Sequence, residues 1–222
     1  YNPVGMTTND PNLTSSLYEV PHRIVGTLGA TCTYFNDAPT TLSIFFEGKS
    51  GTPFSYKGAN SIDYNGDGDA RNDLIFVFDN QSTVNMVAPD GTDAWGAWTA
   101  FVNQDKALKK YKGKIIDRNA ARQPWNNRLD LRVTQKFTNR VELTLDILNF
   151  ANLLNSDWGK FDFVPYATVD LLNFQSFEDE EDVSSNPTFE FNKDRYTKTE
   201  DVYSTNDFRS RWQMLLGLRV NF

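Results

Sequence analysis

The most pointed chemistry in the sequence is a cluster of oxygen-bearing side chains. Asp63-Tyr64-Asn65-Gly66-Asp67-Gly68-Asp69 places a carboxylate or amide at every second position and glycine sixth. That is the first half of a twelve-residue calcium loop, where ligands at positions one, three, five and seven surround a cation that takes six to eight oxygens, and the sixth residue makes the sharp turn. The bidentate glutamate that should stand twelfth is replaced by Leu74, with Asp73 just before it. Asp63, Asn65, Asp67, Asp69 and Asp73 are therefore the candidate ligands of a calcium site with relaxed geometry. The competing reading is a surface turn rich in Asx and glycine.

Other clusters read more simply. Phe177 to Asp182 (FEDEED) has five consecutive carboxylates; a solvated loop tip suits it better than a site for divalent ions. Trp95, Trp98, Trp125 and Trp158 could stack on a ligand, although anchoring and packing are the commoner uses of tryptophan. Arg118, Arg122 and Arg128 read as structural, holding loop to wall through carboxylates such as Asp130. With one histidine (His22), one cysteine (Cys32) and no glycine-rich phosphate loop, the chain lacks a histidine-bearing triad, a common zinc cluster and a phosphate cradle. It is read as no enzyme, and calcium is the one candidate cofactor. A net charge of -7 argues against a nucleic-acid partner.

The elements that must position these groups show a period of two. Asp207 to Phe222 (DFRSRWQMLLGLRVNF) carries Phe208, Trp212, Met214, Leu216, Leu218, Val220 and Phe222 on one face and Asp207, Arg209, Arg211, Gln213 and Arg219 on the other. A long alternating strand with a charged second face fits a membrane β-barrel, lipid on one side and a polar lumen on the other. Trp212 and Phe222 would then sit about 24 Å apart along the membrane normal, close to the height of the apolar band between two aromatic girdles.

The same alternation is expected over residues 20–35, with Ile24, Leu28 and Cys32 outward. It recurs over 40–56, with Leu42, Ile44 and Phe46 outward against Ser43, Glu47 and Lys49. Residues 125–137 and 140–150 repeat it, joined by a minimal turn at Thr138-Asn139. Residues 57–124 and 151–206 read as long loops, with helical character from Asp93 to Lys112 and a strand extension from Phe161 to Phe174. Short turns near 36–39 and 138–139 alternating with long loops match periplasmic turns and extracellular loops. Seventeen phenylalanines, nine tyrosines and five tryptophans suit girdles. The chain holds no run of eighteen apolar residues, which leaves a barrel open. Five strands cannot close a barrel, so the fold expected is all-β, the C-terminal strands of a larger antiparallel transmembrane barrel. No leader opens the sequence, which reads as mature, cleaved or a fragment.

The stretch Arg118 to Asp130 (RNAARQPWNNRLD), then Leu143 to Gly159 (LTLDILNFANLLNSDWG), with Gly51 to Tyr56 (GTPFSY) and Asp63 to Leu74 (DYNGDGDARNDL) before them, resembles the C-terminal barrel of TonB-dependent outer-membrane receptors of the Bacteroidota, the Oar-like and SusC-like branch. The resemblance implies about five strands of a 22-stranded barrel around a plug, in the outer membrane of a Gram-negative bacterium. It implies import of a large or scarce nutrient driven through TonB. Implied partners are the TonB complex through a plug outside this chain, the barrel-assembly machinery, outer-membrane lipid and a surface lipoprotein. It further implies an assembly signal in the last strand, ending on an aromatic: Trp212, Leu216, Leu218, Val220 and Phe222. The alternatives are a non-transporting outer-membrane barrel serving adhesion or assembly, and a soluble β-sandwich, which the arginine-bearing strand disfavours.

Overall fold

The computed structural model describes residues 13–33, 38–59, 63, 66–179, 181–182 and 184–222. In chain order the elements are β1 (Arg23–Thr33), β2 (Pro39–Lys49), β3 (Pro53–Gly58), β4 (Asn85–Val87), α1 (Trp95–Gln104), α2 (Lys106–Lys110), β5 (Ala121–Arg122) and β6 (Asn126–Lys136). They continue with β7 (Val141–Leu148), α3 (Phe150–Leu154), β8 (Asp162–Phe163), β9 (Thr168–Phe177), β10 (Pro187–Glu190), β11 (Ser204–Thr205), α4 (Asp207–Ser210) and β12 (Gln213–Val220). The fold is mostly β. It divides into a sheet unit (20–51, 124–163 and 205–222) and a core unit (1–19, 52–123 and 164–204).

The sheet unit is one antiparallel sheet in the order β1-β2-β6-β7-β12. Its register keeps the alternation in phase across all five strands. Leu28, Ile44, Leu131, Ile147 and Met214 form one cross-strand row, and Ala30, Leu42, Val133, Leu145 and Leu216 form the next. Because side chains alternate faces with period two, both rows lie on the same side, and a one-residue slip in any strand would turn its apolar set over. The other face carries a row of Thr31, Thr41, Thr134, Thr144 and Gly217. The Thr31 and Thr41 hydroxyls are 3.0 Å apart, and a Cβ on Gly217 would come within 3.2 Å of Thr144 Oγ1. At the β6–β7 turn, Thr138 Oγ1 accepts the N–H groups of Arg140 and Val141.

The observed strand limits differ from the alternation at two places. The strand expected over 40–56 is two strands: β2 stops at Lys49, and β3, after Ser50-Gly51-Thr52, joins the other sheet. Every residue of β3 is buried, so it lacks a wet face for alternation to report. The strand expected over 207–222 begins as a helix. Asn206 Oδ1 accepts the Arg209 N–H and its carbonyl accepts that of Ser210, which closes a turn at α4 before β12 starts at Gln213.

The core unit occupies the segments read as long loops. Its sheet has the order β4-β10-β9-β3-β5, with parallel pairing of β4 to β10 and of β3 to β9. The core contains Phe54, Tyr56, Trp98, Phe101, Leu108 and Phe191, none more than 1 % exposed. Each large apolar side chain so buried is worth about 1.5–3 kcal/mol relative to exposure. Phe191 sits at the centre of an aromatic cluster, 5.5 Å from Trp98 and 5.7 Å from Phe101, while the Trp98 indole N–H donates to the Phe78 carbonyl at 2.9 Å. The helical stretch expected over 93–112 breaks at Asp105, whose Oδ1 accepts the Ala107 and Leu108 N–H groups and caps α2. Its Oδ2 accepts the Tyr56 hydroxyl at 2.8 Å. Burial, reinforced by the Asp105 carboxylate, pushes the Tyr56 phenol well above its ordinary range.

Candidate functional site

The polar face of the sheet unit gathers charge from four strands. Arg132 of β6 makes a two-pronged ion pair with Asp146 of β7, at 2.5 and 2.9 Å. Arg23 Nη2 meets Glu47 Oε1 at 2.7 Å, and Lys49 Nζ stands 4.0 Å from the other Glu47 oxygen. Arg128 pairs with Asp130 at 2.8 Å. In water such exposed pairs stabilise little, about 0–1 kcal/mol each.

At one end of this face lies a cavity of about 360 Å³. Its floor is made by strand ends, including Lys49, Arg128 and Gln213, and its walls by the segments around Phe161 and Arg209. Asn149 fixes those walls. It follows β7 in the left-handed conformation (φ 54°), which asparagine tolerates better than most residues. Its N–H donates to Asp130 Oδ1 at 2.8 Å, and its amide nitrogen donates to the Gly159 and Ser210 carbonyls at 3.0 and 2.6 Å. Gly159, at φ 65°, is obligatory there: a Cβ would lie 2.1 Å from Asn149 Oδ1. The Ser210 hydroxyl accepts the Phe161 N–H at 2.9 Å. The Arg209 guanidinium rests 3.5 Å over the Phe161 ring. Outside the strands, Asp157 holds Lys160 at 2.7 Å, which lowers the carboxyl and raises the amine.

The candidate calcium ligands are bound up in the loop itself. Asp63 accepts the N–H groups of Gly66 (2.6 Å), Asp67 (3.2 Å) and Gly68 (2.7 Å). Asp67 accepts from the Asp69 N–H and the Asn72 amide. Asp69 holds Arg71 at 2.8 Å, and that contact lowers its carboxyl. Asp73 is buried. Asn65 lies outside the described residues. Among the described residues, no three His, Cys, Asp or Glu side chains stand together as a metal site. Gly66 and Gly68, at φ 73° and 92°, take conformations that suit glycine.

The other sequence candidates separate. Trp98 is core and Trp95 packs against that core, whereas Trp125 stacks on His22 and Trp158 is exposed. Only Arg128 pairs with Asp130; Arg118 donates to Thr14 and Arg122 pairs with Glu19, all within the core unit. The acidic run forms the tip between β9 and β10, where Ser184 donates to Asp182 and lowers its carboxyl; Glu180 lies outside the described residues. Trp212, Leu216, Leu218, Val220 and Phe222 are all exposed, as is Cys32, which pairs with Thr40 on the apolar side. Asn149, Gly159 and Phe161 stand outside the alternating faces, and Arg209 enters them only as one polar residue of the final strand. Asparagine and glycine ten residues apart do mark turns, but no spacing rule joins them to Ser210. No protein-family model, curated protein or solved structure matches the chain.

Proposed function

We propose that this chain is a wall segment of an outer-membrane β-barrel, in the C-terminal part of a TonB-dependent receptor that imports a large or scarce nutrient. One observation carries the proposal. Five neighbouring antiparallel strands keep one register in which an apolar face, exposed along β1 and β12 and mostly half-buried on β2, β6 and β7, lies opposite a face that carries the ion pairs. Among the described hydrophobic residues of the sheet unit, only Ile147 is buried. In water an exposed face with Leu28, Leu42, Leu216 and Leu218 in adjoining rows would associate or aggregate; hydrocarbon would solvate it, and the strands pair their backbones along the lengths they share. The polar face would line the lumen. The outer edges of β1 and β12, unpaired among the described residues, would continue into further barrel strands.

The sequence resemblance supports the narrower assignment to import through TonB. The expected partners are accordingly the TonB complex, the assembly machinery and outer-membrane lipid. The test is made on the full-length protein in a Gram-negative host. It should fractionate with the outer membrane and migrate on gels in a heat-modifiable way, and Trp212 fluorescence should be quenched by brominated lipid. A protein that stays in the aqueous fraction without detergent, or a Trp212 untouched by brominated lipid, would overturn the membrane reading. Growth on the imported nutrient that survives deletion of TonB would overturn the transport reading alone.

A further inference from the structure

We infer that the cavity at the end of the polar face is a binding site for a small oxyanion, a carboxylate or phosphate ester about the size of a sugar phosphate. The chain as a whole is acidic, with net charge -7, yet this cavity is lined by Lys49, Arg128, Lys160, Arg209 and Arg211 against a single carboxylate, Glu47. Three of those cations are satisfied elsewhere: Arg128 by Asp130, Lys160 by Asp157 and Arg211 by Asp207. The other two are not neutralised in this way. Lys49 comes no nearer than 4.0 Å to a glutamate whose other oxygen already holds Arg23. Arg209 has no carboxylate partner among the described residues and is held instead by the Phe161 ring.

That mode of holding decides the ligand chemistry. A guanidinium stacked on a ring uses its face and keeps its in-plane N–H donors, the fork that matches a carboxylate or phosphate with two parallel hydrogen bonds. The ring also limits the conformations Arg209 must give up on binding. Lys49 adds a point charge, and the amides of Asn126, Asn127 and Gln213 in the same lining can donate to or accept from hydroxyl groups. A volume of about 360 Å³ lies at the small end of ligand cavities.

The site lies wholly within the sheet unit, so its geometry stands without the membrane; its place on a lumen wall rests on the function proposed above. The test is calorimetry on the full chain in detergent at low salt, with inorganic phosphate, glucose 6-phosphate, glucuronate and neutral glucose as probes. The oxyanions should bind and glucose should not, and added salt should weaken binding. Phosphate without glucuronate would mark a phosphate-ester site, and the reverse a carboxylate site; either result supports the inference. Arg209→Gln should weaken binding at least about tenfold, the loss expected for a charge-assisted pair, and Arg209→Lys should recover only part of it. Lys49→Gln serves as a second variant, and Lys106→Gln, on a helix of the other unit, as a control that changes nothing. Equal binding of glucose, no binding of any oxyanion at about millimolar affinity or better, or an Arg209→Gln protein indistinguishable from the parent would overturn it. A protein that proves soluble without detergent yet binds oxyanions refutes the membrane and keeps this site; a membrane-resident protein that ignores all four probes does the reverse.

Discussion

The two units hold similar residues and dispose of them in opposite ways. In the core unit, Trp98, Phe101, Leu108 and Phe191 are sealed from solvent. In the sheet unit, Leu28, Leu216 and Leu218 stand more than two-thirds exposed on an in-phase face. Apolar residues buried inside a protein report a core; apolar residues ordered into rows on one face, in strict register with a charged reverse side, are what the proposed membrane wall needs. The contrast therefore bears on function more directly than either unit does alone.

The sharpest way to break the comparison is to remove one residue from each side of it. Trp98→Ala should cost about 3–5 kcal/mol, because it opens a cavity beside Phe191 and strands the Phe78 carbonyl. Denaturant unfolding read by hydrogen exchange should place that loss in the core unit, and a matching loss from Leu216→Ala in detergent would erase the distinction. Next in size is a charge on the proposed lipid face. Leu216→Arg should cost about 2–4 kcal/mol near a bilayer midplane, seen as loss of heat-modifiable, membrane-inserted protein; normal insertion would count against lipid on that side. Asp105→Ala, which removes the α2 cap and the Tyr56 partner together, should cost about 2 kcal/mol in thermal melts of the core unit.

Two smaller effects sharpen the contrast further. The Tyr56 phenol is raised, and that of Tyr111 is pushed up to about 12 by its hydrogen bond to Asp117 and by burial. A phenol with a raised folded-state pKa stabilises the fold below its unfolded value, near pH 10, and the contribution is lost as pH climbs from there towards the folded-state value. The core unit should therefore weaken above about pH 10, and Tyr56→Phe should flatten that decline when it is followed by tyrosinate absorbance and circular dichroism. The smallest effect concerns the Asp63 loop. Calcium there would slow proteolysis between residues 63 and 73, and Asp67→Ala would abolish the protection. With Asp63 already accepting three backbone N–H groups and Asp69 holding Arg71, the expected outcome is an unchanged cleavage rate on chelation.

Alternation located the sheet well because its two faces differ in polarity: β1, β6 and β7 fall inside the expected limits, and the apolar parity of each strand, Leu28, Ile44, Leu131, Leu145 and Leu216, is the observed one. It failed where that difference vanishes. Strand β3 is buried on both faces, so Phe54 and Tyr56 looked like a continuation of β2. The core unit reads as loops from alternation because its strands are short and its sheet pairs segments far apart in the chain. The cavity was invisible for a third reason. Arg209 scored as one more polar residue of a final strand, whereas Asn206 turns it into a helix and places it over Phe161.

The parallel pairing of β3 to β9, with Ser55 opposite Thr168, has a consequence for the order of events during synthesis. The core unit closes only after its last segment, 164–204, has emerged, and contacts between such distant residues make for slow folding. Before that point the β1–β2 and β6–β7 pairs, each made of two strands that adjoin in the chain, are already complete. A chain interrupted before Val164 would carry Phe54, Trp98 and Phe101 without Phe191 to close over them, so surveillance by chaperones and proteases should fall hardest on that intermediate length.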